Sequence, residues 1–332
     1  MADAFANPLE LAALGASRDA TWNPRDKART RTEPPFANGN QIDRWEPWVR
    51  SHLIQSELIS GIAFARAKRG AKQGPGWTMS HNGSPLATVT RPDTAFFRKQ
   101  VKLTLNWAEL RQERTPEILA QIDNQFAFVA SVTGLHPERH RWTTELLVNA
   151  ILFAVTAGMQ FKHALACWRP HQYSPDVQPI ITAPGHGSFP SGHSTQAFML
   201  AFLMKELLNL PPDTMTQLER QAARIATNRV VAGVHFPIDS VAGRLLGKSL
   251  AQYVLARLGL RKTVANRTFD GDRASGVKED IDLNIALQDP DAGNPKAPYY
   301  VIGKAVKVPG PGADSVLQAL LDRGERERKA LR

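Results

Sequence analysis

A single cysteine, Cys167, is all the chain contains, so no intramolecular disulfide can brace it and the redox compartment is left open. The N-terminus, Met1-Ala2-Asp3-Ala4-Phe5-Ala6, lacks the basic start and apolar core of a secretory leader. No uncharged apolar run reaches the roughly 20 residues that a membrane-spanning helix needs. The longest, Leu146 to Phe161, is interrupted by Asn149 and Gln160. These absences predict no transmembrane span and a cytoplasmic location by default. Strand alternation is missing from the centre, and so is any internal repeat. A basic stripe interleaved with aromatics is missing too, and no known nucleic-acid module occurs, so nucleic acid is not expected as a partner.

What is present fits a globular protein: 332 residues with 42% apolar side chains, enough for a sizeable core. The net charge of +10, from 41 basic and 31 acidic residues, favours anionic partners in general. Much of the excess sits in runs such as Arg66-Ala67-Lys68-Arg69, which read as solvated surface. Residues 1–43, polar and rich in proline and asparagine, read as an extended arm. Residues 44–260 read as a helical catalytic domain, and 261–332 as a loop-rich extension with a short strand at Tyr299–Ile302. The extension ends in a charged, solvated helix over Ala313–Arg332.

Within the central part, 45–69 reads as an amphipathic helix and 70–92, with its glycines and prolines, as a loop. Asp93 or Thr94 caps a helix running to about Arg114, and Pro116 and Gly134 bracket another. Further helices are expected from Thr143 to Lys162 or beyond, Ser194 to Leu208, Gln217 to Ala232 and Ile238 to Leu258. The Ser194 helix is apolar on nearly every face, which marks it as central. The fold class is therefore mainly α, a helical bundle.

Three segments carry chemistry. In Lys162-His163-Ala164-Leu165-Ala166-Cys167-Trp168-Arg169-Pro170, two helical turns would place Lys162 and Arg169 on one face. In Pro190-Ser191-Gly192-His193, the start of the central helix offers unpaired N–H groups and a dipole that favours an anion. Gly192 would let a ligand approach the backbone, Ser191 adds a hydroxyl, and His193 can move a proton. In Arg229 to Asp239, His235 falls on a turn between helices. Asp239 stands four residues on, where it can accept the ring N–H and fix the tautomer. Each segment alone also reads as an ordinary cap or turn. Clustering Lys162, Arg169 and Arg229 within about 4–6 Å would cost several kcal/mol of repulsion, tolerable only around a multiply charged anion.

The three-part pattern Lys-x6-Arg-Pro, Pro-Ser-Gly-His and Arg-x5-His-x3-Asp resembles the signature of the type 2 phosphatidic acid phosphatase and vanadium haloperoxidase superfamily. The resemblance covers about residues 140–255. It implies a helical bundle with an oxyanion site in its core. Lys162, Arg169, Ser191, Gly192 and Arg229 would bind phosphate or vanadate oxygens, His193 would be the general acid/base, and Asp239 would orient His235. His235 would be the nucleophile of a phosphatase or the ligand to vanadium in a haloperoxidase. Asn228 departs from the serine that many members carry before the arginine.

Two chemistries share such a pocket. A haloperoxidase would take vanadate as cofactor, with hydrogen peroxide and halide as small-molecule partners. A phosphatase would need no cofactor and would act on phosphate esters. His186, seven residues before His193, is similar to the second histidine of vanadium bromoperoxidases. With the missing leader and spans it places the haloperoxidase first and the acid phosphatase second. Met159 weighs against halogenation, since well-known haloperoxidases carry an aromatic or arginine near that place. A non-catalytic anion- or nucleic-acid-binding protein is the third reading, though it leaves His193 and His235 without a purpose. A homo-oligomer is compatible with all three.

Overall fold

The computed structural model describes residues 12–14, 16–17, 39–68, 74–277, 281 and 297–330. The chain divides into Met1–Asn38 and Gly39–Arg332. In the first unit the described residues, 12–14 and 16–17, are helical and exposed. The other residues of 1–38, and residues 278–280, 282–296 and 331–332 of the extension, lie outside the described residues.

The second unit is mainly helical. Its helices are α1 (Pro47–Ile59), α2 (Thr94–Trp107), α3 (Arg111–Ala120), α4 (Gln125–Thr133), α5 (Arg141–Leu165), α6 (Gly192–Leu208), α7 (Pro212–Val231), α8 (Pro237–Arg257) and α9 (Val316–Ala330). Helices α5 to α8 form the bundle, and α6 is its centre: it packs against α5, α7 and, most extensively, α8. The close approach of α6 and α8 depends on two small residues one turn apart. A Cβ at Gly243 would lie 2.8 Å from the Ser191 carbonyl oxygen, and one at Gly247 would lie 2.5 Å from that of Thr195. Side chains there would force apart the helix ends that carry two of the three motif segments.

The sheet content exceeds the sequence expectation. Strands β1 (Ile62–Arg66), β2 (Gly76–His81), β3 (Ser84–Thr90), β4 (Thr263–Val264), β5 (Arg267–Phe269), β6 (Tyr300–Ile302) and β7 (Val306–Lys307) form two sheets. The larger runs β1-β2-β3-β5-β6, antiparallel except where β3 pairs β5 in parallel, and β4 pairs β7 separately. The expected helix 45–69 therefore ends at Ile59, and its second half is a strand whose Ile62 and Phe64 turn inward while Ala63 and Ala65 face out. The expected loop 70–92 holds the β2–β3 hairpin, turned at Asn82-Gly83 with φ of 47° and 78°. Two consecutive positive φ values are what a two-residue hairpin turn requires.

Other expectations shift by local causes. Pro116 lies inside α3 and not at a helix start. Helix α5 stops at Leu165 because Ala166 adopts a left-handed conformation, so Arg169 is not on the same helix as Lys162. The proline after Arg169 holds it extended, with φ −86° and ψ 161°. Against the expectation of no transmembrane span stands one candidate among the described residues: Arg141–Tyr173 is long and apolar enough to cross a membrane by length and composition alone, and half of its most apolar 18 residues are buried inside the protein.

The charged terminal helix is not simply solvated. Helix α9 buries Val316, Leu317, Leu320, Leu321 and Arg323. Arg323 binds Asp43 (2.8 Å), which ties the end of the expected arm to the body. Glu327 accepts the Trp142 and Thr143 amides at 2.9 and 3.3 Å, so a carboxylate far along the chain caps the start of α5.

Candidate active site

The three motif segments meet at helix ends. Lys162 sits in the last turn of α5, Arg169 just beyond it, Gly192 and His193 at the first turn of α6, Arg229 in the last turn of α7, and His235 on the turn into α8. Together with His186 these seven residues line one cavity of about 410 Å³. Ile122, Val155, Met159, Ile181 and Val234 supply its apolar wall.

Backbone carbonyls clamp the cations without neutralising them. Lys162 Nζ donates to Gly187 O (3.0 Å) and Ser188 O (2.9 Å), which leaves one of its three protons. Arg169 donates from Nε to Pro184 O (2.9 Å) and from Nη1 to Val234 O (2.7 Å), and its Nη2 lies 3.2 Å from His186 Nδ1. Arg229 donates from Nη2 to Ile118 O at 2.9 Å, while its Nε and Nη1 are buried with no partner among the described residues. Leaving buried charged donors unsatisfied costs on the order of 1–3 kcal/mol each, a cost that a bound oxyanion would remove. A tetrahedral oxyanion, phosphate or vanadate, fits this donor set.

The two motif histidines are differently wired. His235 Nδ1 donates to Asp239 Oδ2 at 2.9 Å, and the same carboxylate oxygen accepts the Phe236 amide at 3.0 Å. This leaves His235 Nε2 with its lone pair. His193 Nε2 faces the carbonyls of Gln121 (3.1 Å) and Ile122 (3.2 Å). Carbonyls only accept, so Nε2 carries the proton and Nδ1 is the nitrogen able to exchange one.

Electrostatically the site is set for an anion. Burial, then the Arg169 charge, pushes the Lys162 ammonium down. Burial, then the Arg229 charge, pushes His193 down to about 4. Burial, then Lys162 and Arg169, holds His235 well below the usual imidazole range. Burial lowers Arg229 to about 10, with Glu117 opposing. Asp239 moves up, burial outweighing its hydrogen bond from Phe236. The cations and imidazoles that line the cavity are thus held less protonated than they would be in water, and the Asp239 carboxyl behind them is held more protonated.

Two expected site residues stand apart from the cavity wall. Asp239 is fully buried behind His235, the place of an orienting group. Ser191 is also fully buried; its Oγ accepts the Ser194 amide (3.4 Å) as the cap of α6 and is not among the lining side chains. Exposed His186 stands on the wall shared with a second, outer cavity of about 520 Å³ that also contains Met159, Lys162 and Trp168. Asn228 is fully buried, and its amide donates to Gln121 Oε1 at 2.9 Å.

Residues that the sequence did not single out complete the site. Phe97 of α2 packs against Phe189 (6.1 Å) and Phe236 (5.3 Å), behind the Pro190 and His235 loops. Gln100 Oε1 accepts the Ile238 amide at 3.3 Å. Arg91 donates to the Leu165 carbonyl (3.3 Å) at the end of α5. None of these has a local signature; each acts through contacts remote in sequence.

Residues 143–261, which contain all three motif segments, match the PAP2 superfamily. This part of the chain is a PAP2 superfamily domain. The chain is similar to the undecaprenyl-diphosphatase of Sulfolobus acidocaldarius, 32% identical over 102 residues, 30% of this chain and 48% of that protein. It is also similar to the decaprenylphosphoryl-5-phosphoribose phosphatase of Mycolicibacterium smegmatis, 31% identical over 96 residues, 27% of this chain and 51% of that protein. The chain spans about half the length of the curated relatives it matches. Both relatives are named as phosphatases and neither as a haloperoxidase, so they favour the reading placed second from the sequence.

Proposed function

We propose that this chain is a PAP2-family phosphatase that hydrolyses a phosphate ester through a phosphohistidine on His235. The observation that carries the reading is the lone-pair nitrogen of His235, oriented by Asp239, in a cavity lined by Lys162, Arg169 and Arg229, the last with two buried N–H nitrogens that have no partner among the described residues. Lys162, Arg169 and Arg229 hold the non-bridging oxygens. His235 Nε2 attacks phosphorus, the P–O bond to the leaving group breaks, and His193 gives the departing oxygen a proton. Water then attacks the phosphohistidine while His193 takes its proton. The P–N bond breaks, its electron pair returns to Nε2, and orthophosphate leaves. His193 must be protonated for the first step, and the bound dianion supplies the field that raises it.

The substrate we assign carries an apolar chain. Ile122 and Met159 on the cavity wall are 41% and 38% exposed, and an apolar chain would cover them. The names of the two relatives, an undecaprenyl-diphosphatase and a decaprenylphosphoryl-5-phosphoribose phosphatase, share a polyprenyl chain on the substrate, which agrees with that class. Purified protein should release orthophosphate from a polyprenyl phosphate with higher kcat/KM than from glycerol phosphate. No release from either ester would end the proposal.

One observation supports a second reading, halide oxidation: His186 lies on the same cavity, beside Arg169. Vanadate would be held by the same Lys162, Arg169, Arg229 and Gly192 set with His235 as ligand, and when bound it would supply peroxide activation. Assaying one sample with and without vanadate separates the two. The first reading expects vanadate to inhibit ester hydrolysis; the second expects peroxide-dependent halogenation to appear.

A further inference from the structure

Arg229 lines the cavity with two buried donors that have no partner among the described residues, yet the groups that hold its guanidinium lie outside the PAP2 domain. Its side chain donates to Ile118 O (2.9 Å) and Gln121 Oε1 (3.3 Å), both at or just past the end of α3. Gln121 is fully buried and its amide is used on both ends. Oε1 accepts from Asn228 Nδ2 (2.9 Å) as well as from Arg229, while Nε2 donates to Glu117 Oε1 (2.8 Å). Glu117 is anchored in turn by Arg224 at 2.6 Å. The Gln121 main-chain carbonyl accepts from His193 Nε2 at 3.1 Å. One residue therefore touches both a cation that lines the cavity and the histidine assigned to move the proton.

The identity of that residue matters physically. A neutral amide oxygen can orient a guanidinium without cancelling its charge. A carboxylate at the same distance would form an ion pair and oppose the dianion. Resting on the reading of the cavity as an oxyanion site, we infer that Gln121 is a positioning residue: it aims Arg229 at the bound oxyanion with its charge unspent. Glu117, one turn back and paired with Arg224, holds the amide the right way round.

The test is a double-mutant cycle on the full chain, read by calorimetric titration with orthophosphate, which does not depend on turnover. Gln121→Leu should weaken orthophosphate binding roughly tenfold, the effect of losing one hydrogen bond to a charged group. Gln121→Glu should weaken it further, because it adds negative charge beside the ligand. In an Arg229→Ala background, Gln121→Leu should change affinity by less than about twofold, since its effect runs through the arginine. Gln121→Met, unbranched and of similar length, replaces the leucine variant if that one does not fold. Unchanged affinity in Gln121→Leu, or an equal loss with and without Arg229, overturns the inference. A cycle that behaves as described in a protein that hydrolyses no ester would sink the phosphatase reading and leave this one standing. Hydrolysis with an additive cycle would do the reverse.

Discussion

Anion binding should drive proton uptake, and the amount can be worked from the site. In the ligand-free cavity His193 is pushed down to about 4 by burial and the Arg229 charge. At pH 8 such a ring is protonated in about one molecule in ten thousand. A dianion at about 5 Å, with an effective dielectric near 20, favours the imidazolium by roughly 6–7 kcal/mol, close to five pKa units. His193 would then take up most of one proton at pH 8, and Lys162, also lowered by burial, adds to the uptake. If the cavity behaved like bulk water, with a dielectric near 80, the lift would be about one unit and uptake at pH 8 negligible. Sulfate is the cleanest probe, since it stays dianionic and any proton must land on the protein. Titration calorimetry in two buffers of different ionisation enthalpy gives the proton number from the difference in heats. We expect between about half a proton and somewhat more than one taken up per sulfate, and affinity that rises as pH falls. Zero uptake, or proton release, would refute the electrostatic reasoning.

The same groups set a stability profile. His193 and His235 have folded-state values below the ordinary imidazole value, so the unfolded chain binds protons first as pH falls. The ligand-free protein should lose thermal stability from about pH 6.5 down to about pH 4, with saturating sulfate offsetting part of the loss; a flat Tm over that window would count against the burial of both rings. Asp239→Asn should cut kcat by at least roughly a hundredfold with little change in KM, because an amide can stabilise the wrong His235 tautomer, and steady-state kinetics check this. Glu327→Ala should lower unfolding free energy by about 1–2 kcal/mol in urea titration while leaving kcat/KM unchanged, because it uncaps α5 far from the cavity.

How much of this was legible in the sequence depends on the range of the contact. Lys162, Arg169, His193, Arg229 and His235 announced themselves because each sits at a helix end marked by its own local chemistry: Pro170 after Arg169, the Ser191 cap before His193, Pro237 after His235. The long helices were legible for the same reason, through apolar periodicity and caps. The hairpin over 76–90 was hidden because one Asn-Gly turn signal stood among several other glycines and prolines, and because β1 reads as helix by propensity and becomes a strand through pairing with β2. Gln121 was invisible for another reason. Glu117 and Gln121 look like any polar pair on a helix face, and their meaning lies in contacts with Asn228 and Arg229 more than a hundred positions away. Ser191 shows the converse: a motif residue whose cap on its own helix was legible from the local sequence alone.

The most direct test of the account is to trap the covalent intermediate. Rapid acid-free quenching during turnover of a radiolabelled phosphate ester, followed by proteolysis and mass spectrometry, should locate a phosphoryl group on the ring of His235, and the label should vanish in His235→Ala. Turnover with phosphate on another side chain, or with full activity retained in His235→Ala, would contradict it.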